Sequence, residues 1–220
     1  MIESNLVYPS IKPLNIDRYA TILSTGTAFP KNVVTNDDII KRYNLFATDR
    51  AVQYSAGIRE RRWDNEGLLP SDLLVQAARQ CLERANLSAE KLDKIIYARL
   101  VGDRIVPSTA IKVLEKLKIK KGIQAFDISA ACSGFMHALD MAIRYIDTGD
   151  DYILVLAGGI ASRSANQNNK KDNKVIFLIG DGVAGMLLGP SQEKHFFCSY
   201  LYSDNSYYNV AYIPFGTELL

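Results

Sequence analysis

The sequence predicts an α/β domain built on a largely buried sheet. Short runs rich in β-branched and aromatic residues alternate with stretches of helical periodicity, the pattern left by strands and helices in turn. A chain of 220 residues can bury roughly 70% of its unfolded surface without covalent staples. The cysteines, Cys81, Cys132 and Cys198, are odd in number and far apart, which argues against a disulfide framework or a zinc cluster and fits reduced thiols.

In chain order, strands are expected over residues 19–24, 58–63, 94–100, 123–128, 152–157, 175–179, 183–188 and 196–203. Helices are expected over 36–43, 49–55, 71–85, 108–117 and 132–148. The third helix has Leu74, Ala77, Ala78, Cys81, Leu82 and Ala85 at helical spacing, and Ser71 is its expected cap. Pro107-Ser108 opens the fourth, with Ile111, Leu114 and Leu117 on one face. The last helix carries Phe135, Leu139, Ala142, Ile143 and Ile146 on one face and ends at Gly149. The polar stretch S-R-S-A-N-Q-N-N-K-K-D-N, from residue 162 to 173, reads as a flexible surface loop.

Charge narrows the function classes. Lys and Arg number 26 against 24 Asp and Glu, so nothing in the balance points to nucleic acid. The opening residues M-I-E-S-N-L-V-Y-P-S lack a basic segment followed by an apolar one, and the longest apolar run is too short to span a bilayer. No membrane association and a cytoplasmic location are expected.

Cys132 is the residue with chemistry to explain. It follows the strand I-Q-A-F-D-I-S and precedes the last helix, among Ser129, Ala130, Ala131, Ser133 and Gly134. A thiol in the first turn of a helix meets free backbone N–H groups and about half a positive charge, which favour the thiolate. Small neighbours leave room for a thioester, and the Cys132 N–H can face a developing oxyanion. The competing reading is a buried structural cysteine in a tight turn, since cysteine is among the most buried residue types. Cys81, mid-helix on an apolar face, reads as core; Cys198, beside Phe197, reads as strand or core. Neither His137 nor His195 stands where a partner base for Cys132 would.

Four stretches taken together resemble the thiolase-fold condensing enzymes, closest to the β-ketoacyl-ACP synthase III family: T-G-T-A-F-P (25–30) with T-N-D-D after it, G-I-R-E-R (57–61), F-D-I-S-A-A-C-S-G-F (126–135) and I-G-D-G-V-A-G (179–185). The resemblance implies a thiolase-like fold of which this chain is the N-terminal half, a mixed sheet packed between helices, with the second half largely absent. Residues 1–190 would form the half-domain, and 191–220 a connecting strand and the start of the second half. It implies that an acyl group is transferred to Cys132 and then condensed with a malonyl-type thioester, with acyl-ACP or acyl-CoA as donor and no bound cofactor or metal. The histidine and asparagine that complete such a site come from the other half. A longer polypeptide, or a second chain, is therefore expected to supply them, in a homodimer or heteromer with acyl carrier protein as partner. Val106 falls where the family places an acyl-pocket gate that reaches into the partner subunit's site, and a valine there leaves more room than a phenylalanine.

Three positions depart from the family. Ala51, Ser55 and Asn173 stand where it places the tryptophan and two arginines that clasp coenzyme A, which favours carrier-protein donors. Arg59, Arg61 and Arg62 read as a solvated strand face or as a docking site for an acidic carrier; Trp63 reads as packing. Two rival functions remain: an acyltransferase that makes an ester or amide, and a non-catalytic partner half.

Overall fold

Periodicity is followed most closely in the helix Pro70–Arg84 (α3), where Leu73, Leu74, Ala77, Ala78, Cys81 and Leu82 are all buried. The structure, a computed structural model, describes residues 12–13, 18–163 and 175–210. The polar stretch beyond Arg163, Asn173 included, and residues 211–220 lie outside the described residues.

Numbered along the chain, the strands are β1 (Lys12–Pro13), β2 (Tyr19–Ala28), β3 (Val33–Thr35), β4 (Glu60–Arg62), β5 (Lys94–Ala98), β6 (Gln124–Ile128), β7 (Ile153–Gly159), β8 (Gly182–Ser191) and β9 (Cys198–Ser199). The α-helices are α1 (Asn36–Tyr43), α2 (Asp49–Ala56), α3, α4 (Thr109–Leu117), α5 (Gly134–Asp147) and the single turn α6 (Val175–Leu178). The main sheet runs β2-β8-β7-β5-β6. Its β5, β6 and β7 are mutually parallel, and β8 and β2 are antiparallel additions. This is the mixed sheet between helices that the resemblance implies.

Alternation along β5 explains the layers. Ile95 and Tyr97 point to one face, where they pack with Leu74, Cys81 and Val113 from α3 and α4. Ile96 and Ala98 point to the other, against Ala138, Ala142, Ile143 and Ile146 of α5. Covered on both faces, the central strands read as continuous apolar runs. Each fully buried leucine or isoleucine contributes about 1.5–3 kcal/mol. Gly26 lets β2 approach α3: a Cβ there would lie 2.3 Å from the Ala77 carbonyl oxygen, so this part of T-G-T-A-F-P serves packing.

A third cluster joins α1, α2, α6 and the β3–β4 pair through Val34, Ile39, Val52, Trp63, Ile176 and Phe177. Trp63 is packing, as expected, and its Nε1 donates to the Ile179 carbonyl at 2.8 Å. Two expectations are corrected here. The run over 175–179 is not a strand: Ile176 and Phe177 turn into this small core, and the Phe177 carbonyl accepts from Arg61 Nη2 at 2.9 Å, outside any sheet ladder. Arg61 in turn is not on a solvated face. Its side chain is buried and also donates to the Val34 carbonyl and to Asn36 Oδ1, while Asn36 Nδ2 passes the contact on to Asp49 Oδ1 at 2.8 Å. The charge is thus buried one amide away from a carboxylate. Arg59 and Arg62 remain exposed.

Ser71 does not cap α3. The helix starts one residue earlier, at Pro70, and Asp72 caps it by accepting from the Leu69 N–H at 2.8 Å. The expected strand over 196–203 shrinks to β9, where Cys198 is exposed.

Candidate active site

The parallel strands β5, β6 and β7 end on one edge of the sheet, and everything singled out around Cys132 gathers there. In open α/β sheets this carboxyl edge is where ligands bind. After β6 the chain does not enter α5 directly. Ala130 adopts φ −145°, ψ 33°, Ala131 takes φ +44°, and residues Ala131–Ser133 form one 3₁₀ turn closed by Ser133 N–H to the Ala130 carbonyl at 3.1 Å. Cys132 is the middle of that turn, so the α-helix proper begins two residues after it and not at it. A left-handed φ on an alanine is uncommon; such conformations cluster at functional sites.

The three thiols part company. Cys132 is exposed and free, which sets aside the buried-cysteine reading. Cys81 is fully buried between α3 and the sheet, and burial pushes its thiol up to about 11. Cys198 is exposed, not core. Neither histidine is hydrogen-bonded to Cys132: His195 Nε2 lies 3.1 Å from Ser191 Oγ, and His137 stands half-buried on α5.

Val106 lies in the loop between β5 and α4, beside a cis Val106-Pro107 bond, with 77% of its surface exposed. It is on the same sheet edge as Cys132 and projects from the protein. Between the ends of β5 and β7 is a cavity of about 130 Å³ whose walls include Val101, Gly158, Gly159, Ile160 and Gly182. Gly158 has no alternative there: its φ is +104°, and a Cβ would lie 2.2 Å from the Gly182 carbonyl oxygen.

The sequence reading missed Asp181. It looks like an aspartate in a glycine turn, yet it is buried and gathers three segments: its oxygens accept from Ser162 N–H at 2.8 Å, Ser162 Oγ at 2.7 Å and Asp64 N–H at 2.7 Å. Asp64 pairs with Arg163. Burial raises the Asp64 carboxyl, but N–H donors from Leu68 and Glu66 and the Arg163 guanidinium outweigh it and hold it low. The flanking glycines were the available signal, since only a tight turn brings one carboxylate within reach of two other segments. At the predicted coenzyme-A positions, Ala51 and Ser55 are both exposed on α2, and Ser55 Oγ bonds back to the Ala51 carbonyl at 3.0 Å.

The mixed sheet between helices and the free cysteine at its carboxyl edge define the class: the cysteine-bearing half of a thiolase-type condensing fold. Comparison with known proteins narrows it. Residues 126–205 match the family described as 3-oxoacyl-[acyl-carrier-protein] synthase III. The β-ketoacyl-[acyl-carrier-protein] synthase III of Alkalilimnicola ehrlichii is 34% identical over 90% of this chain and 60% of its own length. That of Aquifex aeolicus is 39% identical over 79% of this chain and 54% of its own. The crystal structure of the Aquifex protein superposes with a TM-score of 0.73, covering 79% of this chain and 55% of that one. The priming β-ketosynthase of the R1128 polyketide pathway, 25% identical, gives a TM-score of 0.75 over 84% of this chain and 54% of its own. The chain is a relative of the β-ketoacyl-ACP synthase III enzymes and spans a little over half the length of those it matches.

No helix among the described residues is long and apolar enough to cross a membrane.

Proposed function

We propose that the chain carries the acyl-accepting cysteine of a β-ketoacyl-ACP synthase III-type reaction. The Cys132 thiolate attacks the carbonyl of an acyl thioester, expels the carrier's thiolate and holds the acyl group as an enzyme thioester. A malonyl-type thioester then loses carbon dioxide. The electron pair left on its α-carbon attacks the acyl carbonyl, and the Cys132 thiolate leaves as the β-ketoacyl product forms. Val106 gates the partner subunit's acyl pocket in this reading. The observation that carries the proposal is the exposed, free Cys132 in a turn of small residues at the carboxyl edge of β6, inside the segment matched to the family.

Carrier-protein thioesters are the preferred donors. Recognition of a coenzyme-A nucleotide by stacking and by guanidinium forks needs side chains that Ala51 and Ser55 lack. The intact protein, incubated with an acyl-carrier-protein thioester, is expected to gain one acyl mass on Cys132, removable by hydroxylamine. Cys132→Ser is expected to abolish it, because a hydroxyl is scarcely ionised at neutral pH. Peptide mapping that places the acyl group on Cys81 or Cys198 overturns the assignment. Equal or higher kcat/KM with the matching coenzyme-A thioester overturns the donor preference alone.

A further inference from the structure

Helix α2 turns its single acid inward and its single base outward. Asp49 Oδ1 accepts from Asn36 Nδ2 at 2.8 Å and its Oδ2 from Gln53 Nε2 at 2.6 Å, while Val52 is buried in the small third core. The other face carries Arg50 and Tyr54, four residues apart and so one above the other. Both are exposed, Tyr54 almost completely, and so is Phe46 in the segment leading into the helix. Lys41 and Arg42 add two cations in the last turn of α1, which packs against α2. None of these three cations is in an ion pair among the described residues. A single exposed aromatic is ordinary. Two of them beside an unpaired guanidinium have the composition of an interface, where Tyr, Phe and Arg are enriched and Tyr and Arg carry much of the energy.

This face stands at the same end of the main sheet as Cys132. Paired residues form a row across that end, Ile128, Ala98, Ala157, Ala184 and Thr27, running from β6 to β2. The Cys132 turn follows Ile128, and the unit of β3, β4, α1 and α2 follows the end of β2 just past Thr27. Arg61 and Trp63 fasten that unit to the Phe177 and Ile179 carbonyls, next to Gly182 on the same edge. Four strand spacings separate the ends of the row, about 19 Å. An acyl group fixed to a protein surface could not reach Cys132 from there. A thioester hung on a long flexible arm could.

We propose that the outer face of α2, with Phe46, Arg50 and Tyr54 at its centre and Lys41 and Arg42 beside it, docks the acyl carrier protein through an acidic helix of that protein. The inference rests on the acyl-transfer reading of Cys132 and supplies the surface behind the donor preference. Charge selects the occupant: cations with no internal partner draw in an acidic surface and orient it. The two aromatic rings then give the docked helix apolar area to cover. The acids of α1 and α2 do not compete for these cations. Asp49 is turned inward, and Asp37 and Asp38 stand in the first turn of α1, at the opposite end from Lys41 and Arg42.

The test gives the intact protein one acyl group on two donors: a carrier-protein thioester, and a pantetheine thioester that has the arm without the protein. Arg50→Glu is expected to lower kcat/KM about tenfold or more with the carrier donor, chiefly through KM, and to leave the pantetheine donor unchanged. Phe46→Ala and Tyr54→Ala are expected to act in the same direction. Added salt is expected to slow the unmodified protein with the carrier donor and to affect Arg50→Glu less. Binding of the unacylated carrier protein, measured by calorimetry, is read apart from the chemistry and is expected to weaken about tenfold or more in Arg50→Glu. Carrier binding and turnover that survive Arg50→Glu overturn the inference. So does an equal fall for both donors, which is what damage to the fold gives. A coenzyme-A thioester that loses as much as the carrier donor, while the pantetheine donor holds, overturns it too and places the nucleotide on α2 instead. Where Cys132 takes no acyl group from any donor, the acyl-transfer reading fails, and the binding measurement still decides the docking surface.

Discussion

Helices α3 and α5 cover opposite faces of one sheet, and they are finished differently. Along α3 the side chains from Leu73 to Val75, then Ala77, Ala78, Cys81 and Leu82, are all buried, and even the cysteine is a packing atom sealed against Leu156 and Leu187. Along α5 only Gly134, Ala138, Ala142, Ile143 and Ile146 are buried, and Met136 is 51% exposed. Its entry is a 3₁₀ turn with a left-handed alanine, and buried oxygens of Asp140 and Asp147 have no hydrogen-bond partner. Close packing on α3 leaves nothing free to react. The looser, more polar α5 side leaves a thiol open and tolerates groups that stability alone would remove.

The largest effect expected from this contrast is kinetic. Iodoacetamide needs direct contact with a thiolate, which Cys132 allows in the native state, whereas Cys81 must wait for the core to open. Opening a domain core costs several kcal/mol, so Cys81 is expected to react at least roughly 10³-fold more slowly than Cys132. Quenched alkylation followed by peptide mapping measures both in one sample. Comparable rates would mean that the α3 face is not the closed core it is taken to be.

A smaller effect follows from changing the atom. Cys81→Ser places a hydroxyl in the core beside Gly185, where a built Cβ would lie 3.0 Å from the Cys81 Sγ. A buried hydroxyl costs about 1–3 kcal/mol if unpaired, and the Leu187 backbone group that bonds the Cys81 thiol keeps the expected cost at the low end of that range. For a chain of this size that is a fall in Tm of about 2–4 °C for each 1 kcal/mol. Acylation at Cys132 is expected to be untouched. A thermal melt together with an acylation assay checks both, and a variant that melts normally but loses acylation would reverse the roles assigned to the two thiols.

The same contrast explains what was legible in the sequence. Helix α3 was read nearly residue for residue, because its apolar face repeats over four turns and local periodicity alone specifies it. The place of Cys132 between β6 and α5 was legible from the strand and helix patterns on either side of it, and its use as an acyl acceptor belongs to the proposed function. The run over 175–179 was misread because a short β-branched stretch cannot tell a strand from a turn buried in a small core; the hydrogen bonds from Arg61 and Trp63 decide it, and both donors stand more than a hundred residues away in sequence. The contacts of Arg61 and Asp181 were hidden for the same reason. Each acts through partners brought together only by the fold, and a charged residue in a strand or turn looks solvated until those partners are in place.

The smallest effect tests the far end of α5. Asp147 is partly buried near Arg144 and Arg18, and its Oδ1 has no hydrogen-bond partner. Burial raises its carboxyl from 3.8 to about 6, against the opposing pull of the Arg144 and Arg18 charges. Arg144 gives its hydrogen bond to Asp140 instead, at 2.9 Å. The sign follows from linkage: a carboxyl that is harder to ionise folded than unfolded destabilises the fold once it is charged. Its unfavourable contribution is absent below about pH 4, grows as pH rises through the interval from 3.8 to about 6, and is fully present above that. Asp147→Asn is therefore expected to raise the denaturant midpoint at pH 7.5, to change it little at pH 3.5, and to remove part of the slope between. An identical shift at both pH values would show that the asparagine acts through packing or hydrogen bonding. A lowered midpoint at pH 7.5 would show that the Asp147 carboxylate is held by Arg144 or Arg18 after all, and would bring this end of α5 closer to the finished state of α3.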